Sequence, residues 1–167
     1  MRPCANGSPC TVERVKAPFA GPGSLLDLGR RMIAGEIDAP PIAHTVGFRM
    51  TAIGDGTARF EMDASPERHA NPMGTLHGGV YCDLADAAMG YAYAATLAEG
   101  ESFTTVELKI NFLRAVRQGR LTAEAKVVKA GGALGFVECE VKDQTGQLVA
   151  KAASTCMKLR QDRKEGS

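Results

Sequence analysis

Strict alternation of apolar and polar residues predicts β-strands in the second half of the chain. In the segment "TTVELKINFL", residues 104–113, apolar side chains alternate with charged or amide side chains, which is typical of a half-buried strand. The residues on its predicted buried face are Val106, Leu108, Ile110 and Phe112. Alternation recurs in residues 120–130, and residues 135–160 supply two further strands around the turn "DQTGQ". Three consecutive strands joined by short turns predict an antiparallel meander.

The first half of the chain predicts a short helix and then two strands. The segment "SLLDLGRRMIAGEI" begins with Ser24 as a plausible N-cap. Its apolar helical face consists of Leu25, Leu28, Met32 and Ile33. Pro40 and Pro41 break this period, and the chain is predicted to run extended to a turn at "GDG". The alternation of "TARFEMDAS", residues 57–65, predicts a half-buried strand after that turn.

A long helix is predicted at about residues 78–97, between the two groups of strands. Its broad apolar face, which should lie on the sheet, consists of Val80, Tyr81, Leu84, Ala85, Ala88, Met89, Ala92 and Ala95. The opposite face consists of Gly79, Asp83, Asp86, Ala87, Gly90 and Ala94. Because this face lacks Lys, Arg and Glu, we expect a strand, a subunit or a ligand to cover it. The element order predicts an α+β fold with one antiparallel sheet and a principal helix against it.

The start of the long helix carries the candidate chemistry. Gly78 and Gly79 lie where unpaired helix amides could approach a carbonyl oxygen, although a glycine pair also serves simply to make a tight turn. Two turns further on, Asp86 could act as a general base or a nucleophile. Asp83, nearer the helix start, has the stronger case for a structural role because the helix dipole favours a carboxylate there. Polarising amides and a carboxylate together indicate acyl transfer to water.

Composition narrows the class of protein. The 167 residues suit one domain, for which we expect a loose leader at residues 1–23, a domain at 24–160 and a charged tail at 161–167. With 20 basic and 19 acidic residues, bulk charge does not indicate a partner such as nucleic acid or an anionic membrane. The start of the chain lacks a secretory apolar region, and no run reaches the roughly 20 apolar residues of a membrane span. We therefore expect a cytoplasmic protein.

Cysteine and histidine spacing argues against metal and redox sites. The five cysteines form no CxxC pair, so we expect reduced thiols, and Cys82 on the apolar helix suits a buried structural thiol better than a nucleophile. His44, His69 and His77 have no metal-ligand spacing. No phosphate-binding glycine motif follows a predicted strand. The sequence predicts neither a metal nor a cofactor.

The segment "HANPMGTLHGGVYCDLAD", residues 69–86, resembles the signature of the hotdog-fold thioesterases of the phenylacetate-degradation type. That pattern is an Asn, then HGG, then an Asp eight residues beyond the first glycine, here Asn71, His77 to Gly79, and Asp86. The likeness extends over residues 44–159. It implies a curved antiparallel sheet wrapped around one long helix, with protomers paired into a continuous sheet, often as a homotetramer. It also implies hydrolysis of acyl-CoA without a metal, at sites on the subunit interface.

The resemblance implies a role for each matching residue. Gly78 would offer its amide to the thioester oxygen, and Asp86 would activate water or attack. Asn71 would help to place the water or the leaving group. Thr105 falls near the position where relatives use Ser or Thr to position the water. His77 would hold the turn by hydrogen bonding, beside Gly79.

Coenzyme A binding is predicted from basic residues near strand ends. Arg114, Arg117 and Arg120 could contact its phosphates, although a solvated turn explains them equally well. Many relatives carry a basic residue in the turn that here reads "KAGGALGF", where only Lys129 stands nearby.

Two alternatives to a thioesterase arise from the sequence. A hotdog hydratase or dehydratase would need a His and acid pair placed differently. A non-catalytic acyl-CoA binding or sensing module is the other alternative, because a fold does not determine a function. Asp86 distinguishes them, since a binder needs no carboxylate against a reacting carbonyl.

Overall fold

The computed structural model describes residues 24–159, and its centre is a long helix with an antiparallel sheet around it. The helices are α1 (Leu25–Ile33), α2 (Pro41–Val46), α3 (Pro66–His69) and α4 (Gly78–Ala94). The strands are β1 (Phe48–Gly54), β2 (Thr57–Ala64), β3 (Ser102–Phe112), β4 (Gly119–Ala130), β5 (Leu134–Asp143) and β6 (Leu148–Leu159). Within this range the sheet has six strands in the order β1-β2-β4-β5-β6-β3, each pair antiparallel. The predicted leader at 1–23 and tail at 161–167 lie outside the described residues.

The sheet curves around α4, and the helix contacts all six strands. The helix begins at a cap in which the Nδ1 atom of His77 accepts a hydrogen bond from the Gly79 amide at 2.9 Å. The sheet-facing residues of α4 are fully or almost fully buried, namely Tyr81, Leu84, Ala85, Ala88, Met89 and Ala92. The predicted fold class, a curved antiparallel sheet around one helix, is therefore confirmed. The helix is shorter than predicted, because it ends at Ala94 and residues up to 97 form a turn.

The first helix, α1, packs on β1 and α4. Its N-cap is Ser24, as predicted, whose Oγ atom accepts a hydrogen bond from the Asp27 amide at 3.1 Å. An added Cβ at Gly29 would lie 2.6 Å from the Cδ1 atom of Ile53, so glycine is what allows α1 to approach β1 this closely. Leu28 is buried on the predicted face, whereas Ile33 is exposed. None of the helices in residues 24–159 combines the length and the apolar character needed to cross a membrane.

Three details of the predicted strands are corrected by the structure. The chain after Pro40 forms the short helix α2 rather than an extended segment, because proline suits the first turn of a helix. The meander consists of β4, β5 and β6, and β3 lies beside β6 at the sheet edge. Val106 does not share a face with Leu108, because the pairing register shifts between Thr105 and Glu107 and leaves Val106 57% exposed.

Candidate active site

Asp86 and Thr105 meet where the back of α4 faces β3. The Oγ1 atom of Thr105 donates a hydrogen bond to the Oδ1 atom of Asp86 at 3.1 Å. The extra residue at Val106 makes this contact possible, because it changes which strand residues face the helix. Before Val106, the half-buried positions are Phe103 and Thr105; after it they are Leu108 and Ile110. Strict alternation would have placed Thr105 on the outer face with Glu107.

This acid and hydroxyl pair lies at an apolar cavity of about 310 Å³ that opens to solvent. The cavity lining consists of Leu25, Asp86, Ala87, Gly90, Tyr91, Ala94, Phe103 and Thr105. Small residues at positions 87, 90 and 94 leave the space above α4 empty, and Phe103 packs beside Gly90. An engineered cavity of about 150 Å³ is enough to hold benzene. This cavity therefore has room for an apolar group larger than one ring.

Gly78 and Asn71 line a second cavity, of about 360 Å³, at the start of α4. An added Cβ at Gly78 would lie 3.0 Å from the Cζ atom of Phe112, so the glycine is packed directly against an aromatic ring. The Oδ1 atom of Asn71 accepts hydrogen bonds from the amides of Met73 and Thr75, at 2.9 and 3.2 Å. The Asn71 side chain thus shapes the loop that leads into the helix.

The predicted site residues fall into two groups within one chain. Gly78 and Asp86 are eight residues apart on α4, which corresponds to about 12 Å along the helix axis. Gly78 and Asn71 line one cavity, and Asp86 and Thr105 line the other. One thioester carbonyl group cannot contact both Gly78 and Asp86 across that distance, because its C=O bond is only about 1.23 Å long. A single copy therefore does not bring all four residues to one thioester carbonyl.

The four predicted coenzyme A contacts also separate. Arg114 lines the Gly78 cavity, and the Nη1 atom of Arg117 donates a hydrogen bond to the Gly74 carbonyl at 3.2 Å. Arg120 forms an ion pair with Asp63 at 3.0 Å on the outer sheet face, and this hydrogen bond lowers the pKa of Asp63. Lys129 is exposed near the end of β4 and lines neither cavity. Of the four, only Arg114 lines the cavity of Gly78.

The hydrogen bonds of His69 and the pKa values of Asp83 and Cys82 follow from the surroundings of these residues in the fold. His69 is buried, with Nδ1 accepting from the Ser65 amide at 3.0 Å and Nε2 within 2.9 Å of the Val46 carbonyl oxygen. Burial, followed by the negative charge of Asp86, raises the pKa of Asp83. Burial and both aspartates raise the pKa of the Cys82 thiol, which keeps it in its less nucleophilic protonated form.

Three residues that line the Asp86 cavity, Leu25, Tyr91 and Phe103, were predicted neither on the back face of α4 nor as site residues. Phe103 lies two positions before Thr105, and the predicted strand segment began only at residue 104. A strand that begins at residue 102, as in the structure, places Phe103 and Thr105 on one face. Leu25 was predicted on the apolar face of the first helix, but nothing in that pattern showed where the helix would pack. The Asp86 cavity depends on tertiary contacts between α1, α4 and β3.

A curved six-stranded sheet around a central helix, over residues 24–159, defines a hotdog-fold protein. The chain belongs to the thioesterase superfamily, because it is 31% identical to a phenylacetic acid degradation-related protein of which it covers 98%, and because the family model matches residues 73–150. The matched region includes Gly78, Asp86 and Thr105, whereas Asn71 and α1 lie before it. Membership of this superfamily supports a hydrolase that acts on thioesters.

Several similar proteins agree with this assignment. A phenylacetic acid degradation-related protein from Ralstonia eutropha JMP134 is 31% identical, with a TM-score of 0.70 over 77% of this chain and 98% of that one. The E. coli PaaI protein from the phenylacetic acid degradation operon shares the fold, with a TM-score of 0.71, 24% identity and coverage of 82% and 97%. A 1,4-dihydroxy-2-naphthoyl-CoA hydrolase from Listeria monocytogenes is 26% identical over 114 residues, 68% of this chain and 92% of the relative.

Proposed function

We propose that this protein hydrolyses acyl-CoA thioesters to a free acid and coenzyme A. The observation that carries the proposal is the Asp86 carboxylate, held by the Thr105 hydroxyl at an otherwise apolar cavity. An apolar cavity suits the acyl group of a thioester, and a carboxylate at its polar side suits attack on the carbonyl carbon.

The proposed chemistry needs one carboxylate and one oxyanion donor. With Asp86 as a general base, the carboxylate takes a proton from water while the oxygen of that water attacks the thioester carbonyl carbon. The carbonyl oxygen becomes negative and is stabilised by the Gly78 amide at the positive end of α4. The bond from carbon to sulfur then breaks, and the thiolate of coenzyme A takes up the proton. With Asp86 as a nucleophile, its carboxylate attacks the carbonyl carbon, the bond from carbon to sulfur breaks, and the thiolate of coenzyme A leaves from a mixed anhydride. Water then cleaves the anhydride, which releases the free acid and a proton for the thiolate and restores the Asp86 carboxylate.

We propose that two copies of the chain assemble each site. Gly78 and Asn71 would come from one copy, and Asp86 and Thr105 from the other, because about 12 Å of helix separates Gly78 from Asp86 within one copy. The edge strand β3 supports this arrangement. It has 11 residues, the exposed residues Val106 and Phe112, and one edge that no other strand of residues 24–159 pairs with. These are features of a strand that pairs with another chain. The resulting homodimer could pair again into a homotetramer.

Arg114 is the best placed cation for coenzyme A. It lines the cavity of Gly78 and Asn71, on the side where the leaving thiol would lie in this proposal. An arginine can make paired hydrogen bonds to a phosphate group. Arg120 is less suited because Asp63 already occupies its guanidinium.

A panel of acyl-CoAs assayed by release of free thiol tests the proposal. We expect turnover by the wild-type protein and a loss of at least about 1000-fold in kcat for Asp86→Asn, since the variant has no base or nucleophile. Asp83→Asn is the matched control, because it removes an acid of the same helix that lines neither cavity and should retain activity. If acyl-CoAs bind to the wild-type protein but none is cleaved, the protein is an acyl-CoA binding module instead.

A further inference from the structure

The first helix, α1, forms one wall of the Asp86 cavity. Leu25, its first residue, lines the cavity together with Phe103 and Thr105 of β3. The helix packs on β1, and β1 and β3 are the two opposite edges of the sheet. The cavity above α4 is therefore enclosed on one side by β3 and on the other by α1.

The remaining lining residues run along the back of α4. Ala87, Gly90 and Ala94 follow Asp86 toward the C-terminal end of the helix, and eight residues separate Asp86 from Ala94. At 1.5 Å per residue, the cavity extends over about 12 Å of helix. An acyl group with its carbonyl at Asp86 would lie along this row, with its side against Leu25. Side chains that bound such a row determine how bulky the group can be.

We propose that Leu25 is a specificity-determining residue that limits the bulk of the acyl group. This inference rests on the proposed function, and it assigns a role to a helix outside the region matched by the family model. Leu25 is only half-buried, so its side chain can be changed without emptying the core. Its position at the first turn of α1, held by the Ser24 cap, fixes where the side chain meets the cavity.

The test compares a bulky with a small acyl group in two opposite variants. Leu25→Ala removes an isopropyl group from the wall, and we expect the ratio of kcat/KM for 2-naphthoyl-CoA to that for benzoyl-CoA to rise by about tenfold. Leu25→Phe should lower the same ratio by a similar factor. The matched control is Met32→Ala, which shortens an apolar side chain that packs α1 on the core but does not line the cavity. That variant should keep the wild-type ratio.

A binding measurement separates this inference from the proposed function. The second measurement is the Kd of non-hydrolysable thioether analogues of the two substrates, which does not depend on turnover. The ratio of Kd for the 2-naphthoyl analogue to Kd for the benzoyl analogue should fall in Leu25→Ala and rise in Leu25→Phe. If both Leu25 variants fold and keep the wild-type ratio in kcat/KM and in Kd, Leu25 does not limit the acyl group, while the hydrolase proposal is unaffected. If the wild-type protein cleaves no thioester but the Kd ratio shifts as expected, the proposed function fails and the role of Leu25 is supported.

Discussion

The Thr105 hydroxyl donates a hydrogen bond to the Asp86 carboxylate at 3.1 Å, and this contact joins β3 to the back of α4. A hydroxyl in this position can orient the carboxylate and also the water molecule that the carboxylate activates. A hydrogen bond to a charged group typically contributes about 1.5–3 kcal/mol.

Removal of that hydroxyl should slow catalysis without unfolding the protein. We expect Thr105→Val to lower kcat by about 10- to 100-fold, the loss that corresponds to one charged hydrogen bond. Thr105→Ser should retain most of the activity because it keeps the donor. Thr104→Val is the control, since Thr104 is the neighbouring threonine on the exposed face of β3. An equal loss for Thr104→Val and Thr105→Val would contradict a specific role for Thr105.

Mixed assemblies should show whether a site is shared by two copies. Asp86→Asn and Gly78→Val are each expected to be inactive alone. A mixed dimer contains one Asp86→Asn copy and one Gly78→Val copy. If each site takes Gly78 from one copy and Asp86 from the other, one of its two sites has both native residues and the other site has neither. Random mixing of two-fold dimers should then restore about a quarter of wild-type activity. Sites contained within one copy would give no recovery, so thiol release by unmixed and mixed samples distinguishes the two arrangements.

Gly78 should be sensitive to substitution because of Phe112. An added Cβ would lie 3.0 Å from the Phe112 Cζ atom, which forces the ring to move. We expect Gly78→Ala to destabilise the fold by about 1 kcal/mol despite the higher helix propensity of alanine. The free energy of unfolding in urea measures this effect. Phe112→Leu should restore stability in the double variant, and a simple sum of the two single effects would argue against this contact.

The pKa of Asp83 predicts a dependence of stability on pH. Burial and the charge of Asp86 raise this pKa above 3.8 in the folded state, so the folded protein binds a proton more readily than the unfolded chain. Stability contributed by this group therefore falls as the pH rises through the window between 3.8 and the raised value. We expect Asp83→Asn to raise the melting temperature at pH 7. The gain should shrink as the pH falls below that window; a gain that is independent of pH would argue against this cause.

The sequence predicted the layers of the fold because hydrophobic periods report burial directly. The buried residues of α4 and the strands β2, β4, β5 and β6 follow those periods closely. The face of Thr105 could not be predicted in this way, because a single bulge at Val106 reverses the alternation and leaves no mark on composition. The position of Leu25 beside Asp86 was also hidden, since contacts between distant segments decide where a covering helix packs.

Gly90 offers a test in which stability and activity should change in opposite directions. It lies in the middle of α4, where glycine is less favourable than alanine by about 1 kcal/mol. An added Cβ would meet the Phe103 Cζ atom at 3.4 Å, which is ordinary van der Waals contact, so Gly90→Ala should stabilise the protein. The new methyl group would occupy part of the Asp86 cavity, and we expect kcat/KM for bulky acyl groups to fall by about tenfold. Gly132→Ala is the matched control for activity, because it lies in the loop between β4 and β5, where an added Cβ meets none of the described residues within 4 Å. Unchanged turnover of bulky and small acyl-CoAs by Gly90→Ala would show that the acyl group does not lie along α4.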